Sequence, residues 1–504
     1  MTGGEDDGAM LKRAFDLHTA GDFAAALAIY EQLLEEAPNH PDALRLAASA
    51  KRSAGDLAGA LVLFERLTAE ETVQAEVWFN YGNALADAGR FADSIAAYQK
   101  AIDGGNRTAE VYANLGIAEV GGGNHHAAIA AYHTALGLDP RHKTAMHNLG
   151  NALVEAGDLD GAIDMLRRTV AVYPDLAEAR YNLALALLRA GDFAAGFRHY
   201  EWRWRTEKFP ARPRHTEVAD WGGRPYPGKT LLVHAEQGLG DTIQFAKLLP
   251  LARSLGGRLV LQVPDKLVRL LSRLQGFDSI VGDSEDPGSF DLQSPLLGLP
   301  QRLQLTPGSI PVARSHLTVE PERILHWRKA LRLEGGAKAI GLVWKGNPNS
   351  PVERGRSLAG PRELAPFAAL TDVRLIALQK LAAGMLERAD TPSGWKVGGL
   401  DFVLEHPGPD FDAGADAFID TAGIMANLGG VVSVCTAPLH LAGALGVPSV
   451  ALLKTAADWR WMTERTDTPW YPSMTLCRQT RSGDFGPAIA AAVDVVSGWL
   501  SVQR

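Results

Sequence analysis

A glycine-rich turn that ends in a carboxylate is the first feature of this 504-residue sequence that could do chemistry. The turn reads Ala-Glu-Gln-Gly-Leu-Gly-Asp and lies between a short apolar strand at 230–234 and apolar residues at helical spacing from 243 to 252. Such a turn places backbone N–H groups and a helix N-terminus at the carboxyl edge of a parallel sheet, where open α/β folds bind phosphorylated ligands. The sequence therefore predicts that Asp241 lies at an active site, next to a turn formed by Gln237, Gly238 and Gly240.

A second group of polar residues follows three further predicted strands. Two of these strands end in lysine or glutamine, and the third is followed by a predicted helix with a histidine one turn in. A helix N-terminus together with a lysine can stabilise a leaving phosphate without a metal ion. We therefore expect the following residues to bind a phosphorylated donor: Lys345, Gln379, Lys380, Thr436, Ala437 and His440.

The elements that must position these residues alternate between strand and helix. This alternation predicts parallel sheets flanked by helices. The expected strands are Thr230–His234, Arg258–Val263, one near Ile280, Ala339–Trp344, Val373–Leu378, Val431–Val434 and Ser449–Leu453. With an amphipathic helix predicted at 322–333, the sequence divides into two halves, 229–335 and 336–504, that would face each other across a cleft. A Pro/Arg/Gly-rich linker is expected at 211–228.

The first two hundred residues carry an internal repeat of 34 residues. Six glycines mark it, each followed five residues later by a small residue and nine residues later by an aromatic or leucine. The glycines are Gly21, Gly55, Gly89, Gly123, Gly157 and Gly191. The pattern resembles the tetratricopeptide repeat, a pair of antiparallel helices, in six copies over 7–210. Stacked pairs of this kind form a superhelix with a long concave groove, and the expected partner is a polypeptide.

Asparagines also recur every 34 residues, at Asn80, Asn114, Asn148 and Asn182. The resemblance places this position on the concave surface. A carboxamide both donates and accepts hydrogen bonds, so a ladder of them could hold the backbone of an extended acceptor peptide. Alternatively, these asparagines only tie neighbouring helices together.

Two apparent motifs do not fit their sequence context. Gly223–Thr230 matches the P-loop pattern, but two prolines remove amides from the loop and a strand, not a helix, follows. The Asp-Phe-Asp at 410–412 has the form of a metal-diphosphate site but lies in a Pro/Gly-rich loop with no preceding strand. We expect a turn and a solvated loop, respectively, and no metal or other cofactor.

Composition excludes several function classes. The net charge of −8 does not indicate a nucleic-acid-binding surface, which would be basic. No signal peptide or 18-residue apolar segment is visible, which predicts a protein without membrane insertion. Cys435 and Cys477 are far apart and fit neither a metal site nor a disulfide framework. A cytoplasmic location is expected.

Several motifs together resemble a known family: the turn at 234–241, Val-Trp-Lys-Gly-Asn at 343–347, Arg-Ser at 356–357, Leu-Gln-Lys at 378–380, Asp-Thr-Ala at 420–422, the segment 440–446, Asp-Trp-Arg-Trp at 458–461 and Pro-Trp-Tyr-Pro at 469–472. The sequence resembles bacterial proteins that join tetratricopeptide repeats to a domain similar to the heptosyltransferases of glycosyltransferase family 9. The architecture is similar to that of soluble flagellin glycosyltransferases.

This resemblance implies a GT-B fold of two Rossmann-like domains, with the donor bound by the second. It implies that Asp241 is the base that deprotonates the acceptor hydroxyl, and that Arg356 and Ser357 contact phosphate. Alternatively, Asp241 only caps the helix that follows the turn. Cys435 and Gly429 stand where the family usually has aspartate, and this leaves the donor, and activity itself, open.

The resulting hypothesis is a cytoplasmic, metal-independent protein O-glycosyltransferase. The repeats would hold an acceptor protein, suspected to be flagellin, and a nucleotide-sugar would donate to its Ser or Thr hydroxyl. Two alternatives stay open: an inactive repeat scaffold with a transferase-like domain, and a transferase that acts on a saccharide acceptor.

Overall fold

The computed structural model describes residues 3–70, 73–334, 338–347, 353 and 355–502. By contacts within the chain, the protein divides into two compact units that meet between Ala179 and Arg180. The expected boundary between residues 335 and 336 lies outside the described residues.

Twelve α-helices in antiparallel pairs make up the described part of the first two hundred residues. They are α1 (Gly3–Thr19), α2 (Phe23–Glu36), α3 (Pro41–Ser53), α4 (Leu57–Thr68), α5 (Ala75–Asp87), α6 (Phe91–Asp103), α7 (Ala109–Gly121), α8 (His125–Leu138), α9 (Lys143–Ala156), α10 (Leu159–Val172), α11 (Ala177–Arg189) and α12 (Phe193–Tyr200). Helices α1 to α10 belong to the first compact unit, and α12 belongs to the second.

The repeated glycine fixes the turn between the two helices of each pair. All six glycines have a positive φ, between 73° and 91°, a conformation that L side chains rarely adopt. Four of them are followed by an aspartate that caps the second helix of its pair, through the backbone N–H three residues on. The Ala-Gly-Asp tripeptide therefore combines a turn residue with an N-cap, which explains its recurrence.

The aromatic position of each repeat is buried against the first helix of the pair. A Cβ added at Gly82 would lie 2.7 Å from the Tyr98 ring, and one at Gly116 would lie 2.4 Å from Tyr132. The small residues five positions after each turn are likewise buried, from Ala26 to Ala162. The predicted helix pairs are therefore confirmed in their turns, caps and packing.

The second unit contains two wholly parallel sheets and one antiparallel hairpin. The strands are β1 (Thr230–His234), β2 (Arg258–Val263), β3 (Ser279–Gly282), β4 (Leu292–Pro295), β5 (Ala339–Val343), β6 (Arg374–Ala377), β7 (Leu386–Arg388), β8 (Trp395–Val397), β9 (Gly430–Val434), β10 (Ser449–Leu453) and β11 (Met474–Arg478). The first sheet has the order β3-β2-β1-β4, and the second has the order β11-β10-β9-β5-β6. Strands β7 and β8 form the hairpin.

The helices of this unit are mostly short. They are α13 (Leu239–Phe245), α14 (Leu249–Arg253), α15 (Asp265–Leu271), α16 (Leu299–Arg302), α17 (Pro321–Ala330), α18 (Ile419–Met425), α19 (Ala437–Leu445) and α20 (Gly486–Val502). The segment 243–252 is helical, as its apolar spacing predicts, but the helical stretch begins earlier, at Leu239, and breaks into two α-helices joined by a 3₁₀ turn, with Pro250 in the first turn of α14. The helix expected at 322–333 ends earlier, at Ala330.

The segment 211–228 is not a free linker. Trp221 is 1% exposed, and its backbone N–H donates to the carbonyl of Gln293 in β4 at 2.8 Å. Asp220 and Gln293 form an isolated parallel bridge beside the first sheet. Residues 223–230 make a turn that leads into β1, as expected for a sequence that only imitates a P-loop.

Across the described residues, no helix has both the length and the apolar character needed to cross a membrane.

Candidate functional site

The glycine-rich turn connects β1 to α13 at the carboxyl end of β1. Gly238 is the N-cap of α13, and Asp241 is the third residue of the helix. The Asp241 carboxylate accepts a hydrogen bond from the Gly238 N–H, which places it over the helix N-terminus rather than at the cap position. About a fifth of its side chain (22%) stays exposed, so it can still contact a ligand.

A buried arginine from the second sheet's half of the unit holds this carboxylate. The Arg460 guanidinium pairs with Asp241 and, at 2.8 Å, with Asp458. Its Nε donates to the Gln244 side chain at 2.7 Å. One face of the guanidinium lies 4.6 Å from the Trp459 ring centre. The predicted catalytic carboxylate therefore lies where the two halves of the unit meet.

The pKa values of the two carboxylates that share Arg460 are shifted in opposite directions. Burial raises the pKa of Asp241, against the opposing charge of Arg460. The pKa of Asp458 is lowered, because Arg460 and the Arg460 backbone N–H outweigh the cost of burial. Environments that separate the pKa values of two neighbouring acids in this way are typical of sites that use one of the acids as a base.

The turn contacts the N-terminus of α19 directly. A Cβ added at Gly240 would lie 2.9 Å from the His440 ring and 3.2 Å from the Ala437 Cα, so only glycine fits here. Thr436 is the N-cap of α19, as predicted, and its hydroxyl lies 3.4 Å from Ser433 Oγ. The structure therefore brings the predicted base and the predicted donor helix side by side.

His440 is buried and neutral. Its ring stacks on Trp461 at 5.5 Å, and Nδ1 lies 3.1 Å from the Tyr471 hydroxyl. Burial, together with the charges of Arg460 and Arg356, lowers the pKa of His440 to about 3. The imidazole therefore acts in this site as a neutral hydrogen-bonding group next to the turn.

Cys435 occupies the position between β9 and α19. The thiol is buried, and it accepts hydrogen bonds from Trp461 Nε1 at 3.1 Å and from the Arg356 guanidinium at 3.3 Å. The charge of Arg356 also acts to lower the pKa of Asp241, against the effect of burial. Through Cys435 and Trp461, whose ring stacks on His440, the guanidinium of Arg356 is connected to the same group of residues.

The loop after β5 supplies another side of the site. The Gly346 N–H donates to Ser357 Oγ at 2.8 Å, and a Cβ at Gly346 would lie 3.3 Å from Thr436 Cγ2. The Lys345 backbone N–H donates to the Gln379 side chain at 3.1 Å. Lys345 itself is exposed. Ser357, Lys345 and Gln379 thus extend from Thr436 along the carboxyl ends of β5 and β6.

The Lys380 side chain does not join this group of residues. Its ammonium donates to the carbonyl of Asp412 at 2.9 Å. The Asp412 carboxylate in turn accepts hydrogen bonds from the backbone N–H of Asp420 and from the Thr421 hydroxyl. The Asp-Phe-Asp segment is therefore a hydrogen-bonded loop, and in the part of the chain that the structure describes no three acidic, cysteine or histidine residues gather as a metal site.

The four repeated asparagines each stand sixth in the first helix of a repeat and are half-buried. First helices of neighbouring repeats contact one another, as α5 and α7 do. Asn114 donates to Asn83 Oδ1 at 2.9 Å, and Asn148 bonds to the hydroxyl of Tyr132. Asn114 and Asn148 thus tie helices together, whereas Asn182 lies in the other compact unit from Asn80.

Sequence reasoning missed Arg460 and Gln244 as site residues. The motif Asp-Trp-Arg-Trp at 458–461 stands out in the sequence, but nothing in its local pattern points to a contact with the glycine-rich turn. Trp459 does pack in the core, but Arg460 lies 219 residues from Asp241, and local patterns do not reveal such a distant contact.

Comparisons with known proteins find repeat models in the first part of the chain and a relative that aligns over more than half of it. Family models described as tetratricopeptide repeat match residues 17–78, 75–103, 114–171 and 147–201. Protein FlbA of Caulobacter vibrioides (strain ATCC 19089 / CIP 103742 / CB 15) is 27% identical over 313 residues, which is 58% of this chain and 50% of FlbA. The chain thus spans about half the length of that relative.

Solved structures are also similar over about a third of the chain. The MamA crystal structure is 24% identical with a TM-score of 0.32, over 35% of this chain and 96% of MamA. YrrB, described as a TPR protein with an unusual peptide-binding site, is 19% identical with a TM-score of 0.31, over 34% of this chain and 88% of YrrB. The chain therefore contains tetratricopeptide repeats, followed in sequence by an α/β region with parallel sheets.

Proposed function

We propose that this protein is a protein O-glycosyltransferase with a GT-B-type catalytic region. The observation that carries the proposal is the contact between the Asp241 turn and the N-terminus of α19, at the carboxyl ends of strands from both parallel sheets. Ligands of open α/β folds bind at that edge. A carboxylate whose pKa is raised by burial lies there beside a helix N-terminus, and the charge of Arg356 acts on it, so a base and anion-binding groups would share one site.

The proposed reaction uses these groups in separate roles. Asp241 takes the proton of a Ser or Thr hydroxyl while the hydroxyl oxygen bonds to the sugar carbon and the bond from that carbon to phosphate breaks. General-base assistance of this kind contributes typically about 10²–10⁴ in rate. The amides at the start of α19, with Thr436, Ser357, Arg356 and Lys345, would stabilise the charge on the departing nucleotide. The proposal needs no resident metal ion, because these groups supply the positive potential.

The repeats would supply the acceptor. Tetratricopeptide repeats generally bind peptides or proteins along their inner helices. Which acceptor binds would then depend on how well its surface complements that of the repeats. We propose flagellin as the first acceptor to test, on the resemblance of the sequence alone.

Cys435 favours a second candidate, an inactive repeat scaffold. A thiol is a weak hydrogen-bond acceptor, so it cannot bind sugar or ribose hydroxyls as the carboxylate usual in the family does. In this structure the Cys435 sulfur is already engaged by Arg356 and Trp461. An enzyme with this residue would therefore take an altered donor, and a scaffold would take none.

Nucleotide binding separates the two candidates. Thermal unfolding of the full chain would be followed with UDP, ADP, GDP and CMP in turn. A ligand present at 100 times its dissociation constant stabilises the folded state by about 2.7 kcal/mol, so the enzyme should select at least one of them. Shifts that are absent, or equal for all four, would favour the scaffold.

The variant Asp241→Asn then tests the base. It keeps the size and hydrogen-bonding shape of the side chain but cannot accept a proton, so transfer should fall at least a hundredfold. Acceptor binding, measured by co-sedimentation with flagellin, should not change. Full transfer activity in this variant would contradict the assignment of Asp241 as the base.

A further inference from the structure

The last repeat is joined to the turn that carries Asp241 by a buried ion pair. The Arg203 guanidinium binds both carboxylate oxygens of Glu236, with Nε–Oε1 at 2.9 Å and Nη2–Oε2 at 3.1 Å. The side chains of Arg203 and Glu236 are 0% and 1% exposed. Arg203 lies in the 3₁₀ helix that continues α12, and Glu236 lies five residues before Asp241.

A second contact lies one residue closer to the base. The Gln237 carboxamide donates to the Tyr200 hydroxyl at 2.9 Å, and Tyr200 is the last residue of α12. The Tyr200 ring is also buried. Two consecutive residues of the turn are therefore held by side chains of the sixth repeat, immediately before Gly238 caps α13.

The same helix reaches the other side of the Asp241–Arg460 pair. The rings of Phe197 and Tyr200 pack on Trp459 at 5.6 Å and 6.4 Å, and Trp459 lies under the Arg460 guanidinium. The end of α12 thus contacts the segment that carries the carboxylate and the segment that carries its arginine.

We propose that Tyr200 and Arg203 are positioning residues for Asp241, so that the sixth repeat is a structural part of the site as well as of the repeat array. This inference rests on the proposed function. A buried ion pair rarely adds net stability compared with apolar side chains of the same size. Its two-point geometry does fix the orientation of the turn, and a catalytic carboxylate requires such fixed geometry.

The test compares three variants of the full chain. Tyr200→Phe removes only the hydroxyl that Gln237 binds and keeps the ring. Arg203→Lys keeps the charge but cannot form the two-point contact. Tyr226→Phe is the matched control, because Tyr226 is equally buried and its hydroxyl donates to the Ala252 carbonyl, outside the turn.

Amide hydrogen exchange, read by mass spectrometry over residues 235–242, requires neither ligand nor activity. Loss of one net hydrogen bond should speed exchange there about fivefold in Tyr200→Phe, and more in Arg203→Lys, while β2 keeps its wild-type rate. Tyr226→Phe should leave exchange at 235–242 unchanged. Unchanged exchange in Tyr200→Phe would overturn the proposal, even if Arg203→Lys fails to fold.

Kinetics test the consequence for transfer. In Tyr200→Phe, kcat should fall at least fivefold while KM for the acceptor stays within twofold, because the turn and not the acceptor groove is disturbed. Faster exchange with unchanged kcat would overturn the positioning role. If wild-type protein transfers no sugar, the proposed function fails with this role, whereas the exchange data still decide whether the sixth repeat holds the turn.

Discussion

The Arg460 guanidinium binds Asp241 and Asp458 together, and these two carboxylates lie 217 residues apart in the sequence. Asp458 is also held from its own segment by the Arg460 backbone N–H. Both carboxylates stay partly exposed, Asp241 by 22% and Asp458 by 34%. One arginine therefore orients both acids, and of the two only Asp241 lies on the helix that follows the glycine-rich turn.

Replacing Arg460 by methionine should strongly destabilise the second unit. The change leaves two carboxylates without their shared cation, and breaking a buried pair in this way costs about 3–5 kcal/mol. Urea unfolding followed by tryptophan fluorescence measures the loss. Arg465→Met is the control, since Arg465 pairs with an exposed Asp467 and should lose at most about 1 kcal/mol. Equal losses in the two variants would contradict a structural role for the shared arginine.

Gly240→Ala should impair ligand binding without unfolding the protein. The added methyl would meet the ring of His440 and the backbone of α19, so the turn and that helix must separate by a few tenths of an ångström. We expect at least a tenfold weaker affinity for the nucleotide identified in the thermal panel, measured by titration calorimetry. Gly238→Ala is the matched control, because a Cβ there meets only the Asp241 carboxylate, at 3.4 Å. Its affinity should stay within about threefold.

Lys247 should give the stability of the protein a distinctive alkaline pH dependence. Lys247 is 3% exposed, and its ammonium donates to the Trp470 carbonyl at 2.6 Å. Burial lowers the pKa of Lys247 to about 8 from 10.5. Between these two pH values the unfolded chain binds more protons than the folded chain, so the free energy of unfolding rises with pH, by at most about 1.4 kcal/mol per unit.

The measurement compares wild type with Lys247→Met from pH 7 to 10.5. Their difference in unfolding free energy should be constant below pH 8 and should then shift in favour of wild type as the lysine loses its proton. The titratable groups around Lys247, His316 and Tyr471, are present in both proteins and cancel. The same substitution at the exposed Lys266 is the matched control. A difference that stays flat up to pH 10.5 would disprove the lowered pKa.

In the repeats, the turn glycine and a helical glycine should respond to alanine with opposite signs. Gly157 has a φ of 91°, so alanine there adopts a left-handed conformation at a cost of about 1–2 kcal/mol. Gly137 lies in the last turn of α8, where an added Cβ would meet nothing within 4 Å, and alanine there should stabilise the helix by at most about 0.5–1 kcal/mol. Urea unfolding followed by circular dichroism measures both. Stabilisation by Gly157→Ala would contradict the turn geometry.

Patterns that depend on neighbours in sequence were predicted well. The 34-residue glycine spacing predicted every helix pair, because a left-handed turn residue and its N-cap are local requirements. Strands β1, β2 and β10 match their predicted bounds, since each is a short run of buried apolar residues. The helix opened by Thr436 follows equally from a local strand-to-helix junction.

Other elements could not be predicted, because tertiary contacts stabilise them. Strand β4 reads Leu-Gln-Ser-Pro, and only its pairing with β1 makes it a strand. The Lys247 ammonium donates to the carbonyl of Trp470, 223 residues away, and the helix breaks beside it. The predicted donor group was gathered only in part: Ala437, His440 and Arg356 lie near Asp241, but Lys380 binds the Asp412 carbonyl.

The sixth helix pair has a consequence for engineering new specificity. Because Tyr200 and Arg203 bind the turn that precedes Asp241, a foreign recognition module cannot simply be spliced at the end of the repeats near residue 210. A folded chimera would need its junction upstream of Arg180, in the turn between α10 and α11. The first five repeats would then be the exchangeable part, and the sixth would stay with the α/β region that it contacts.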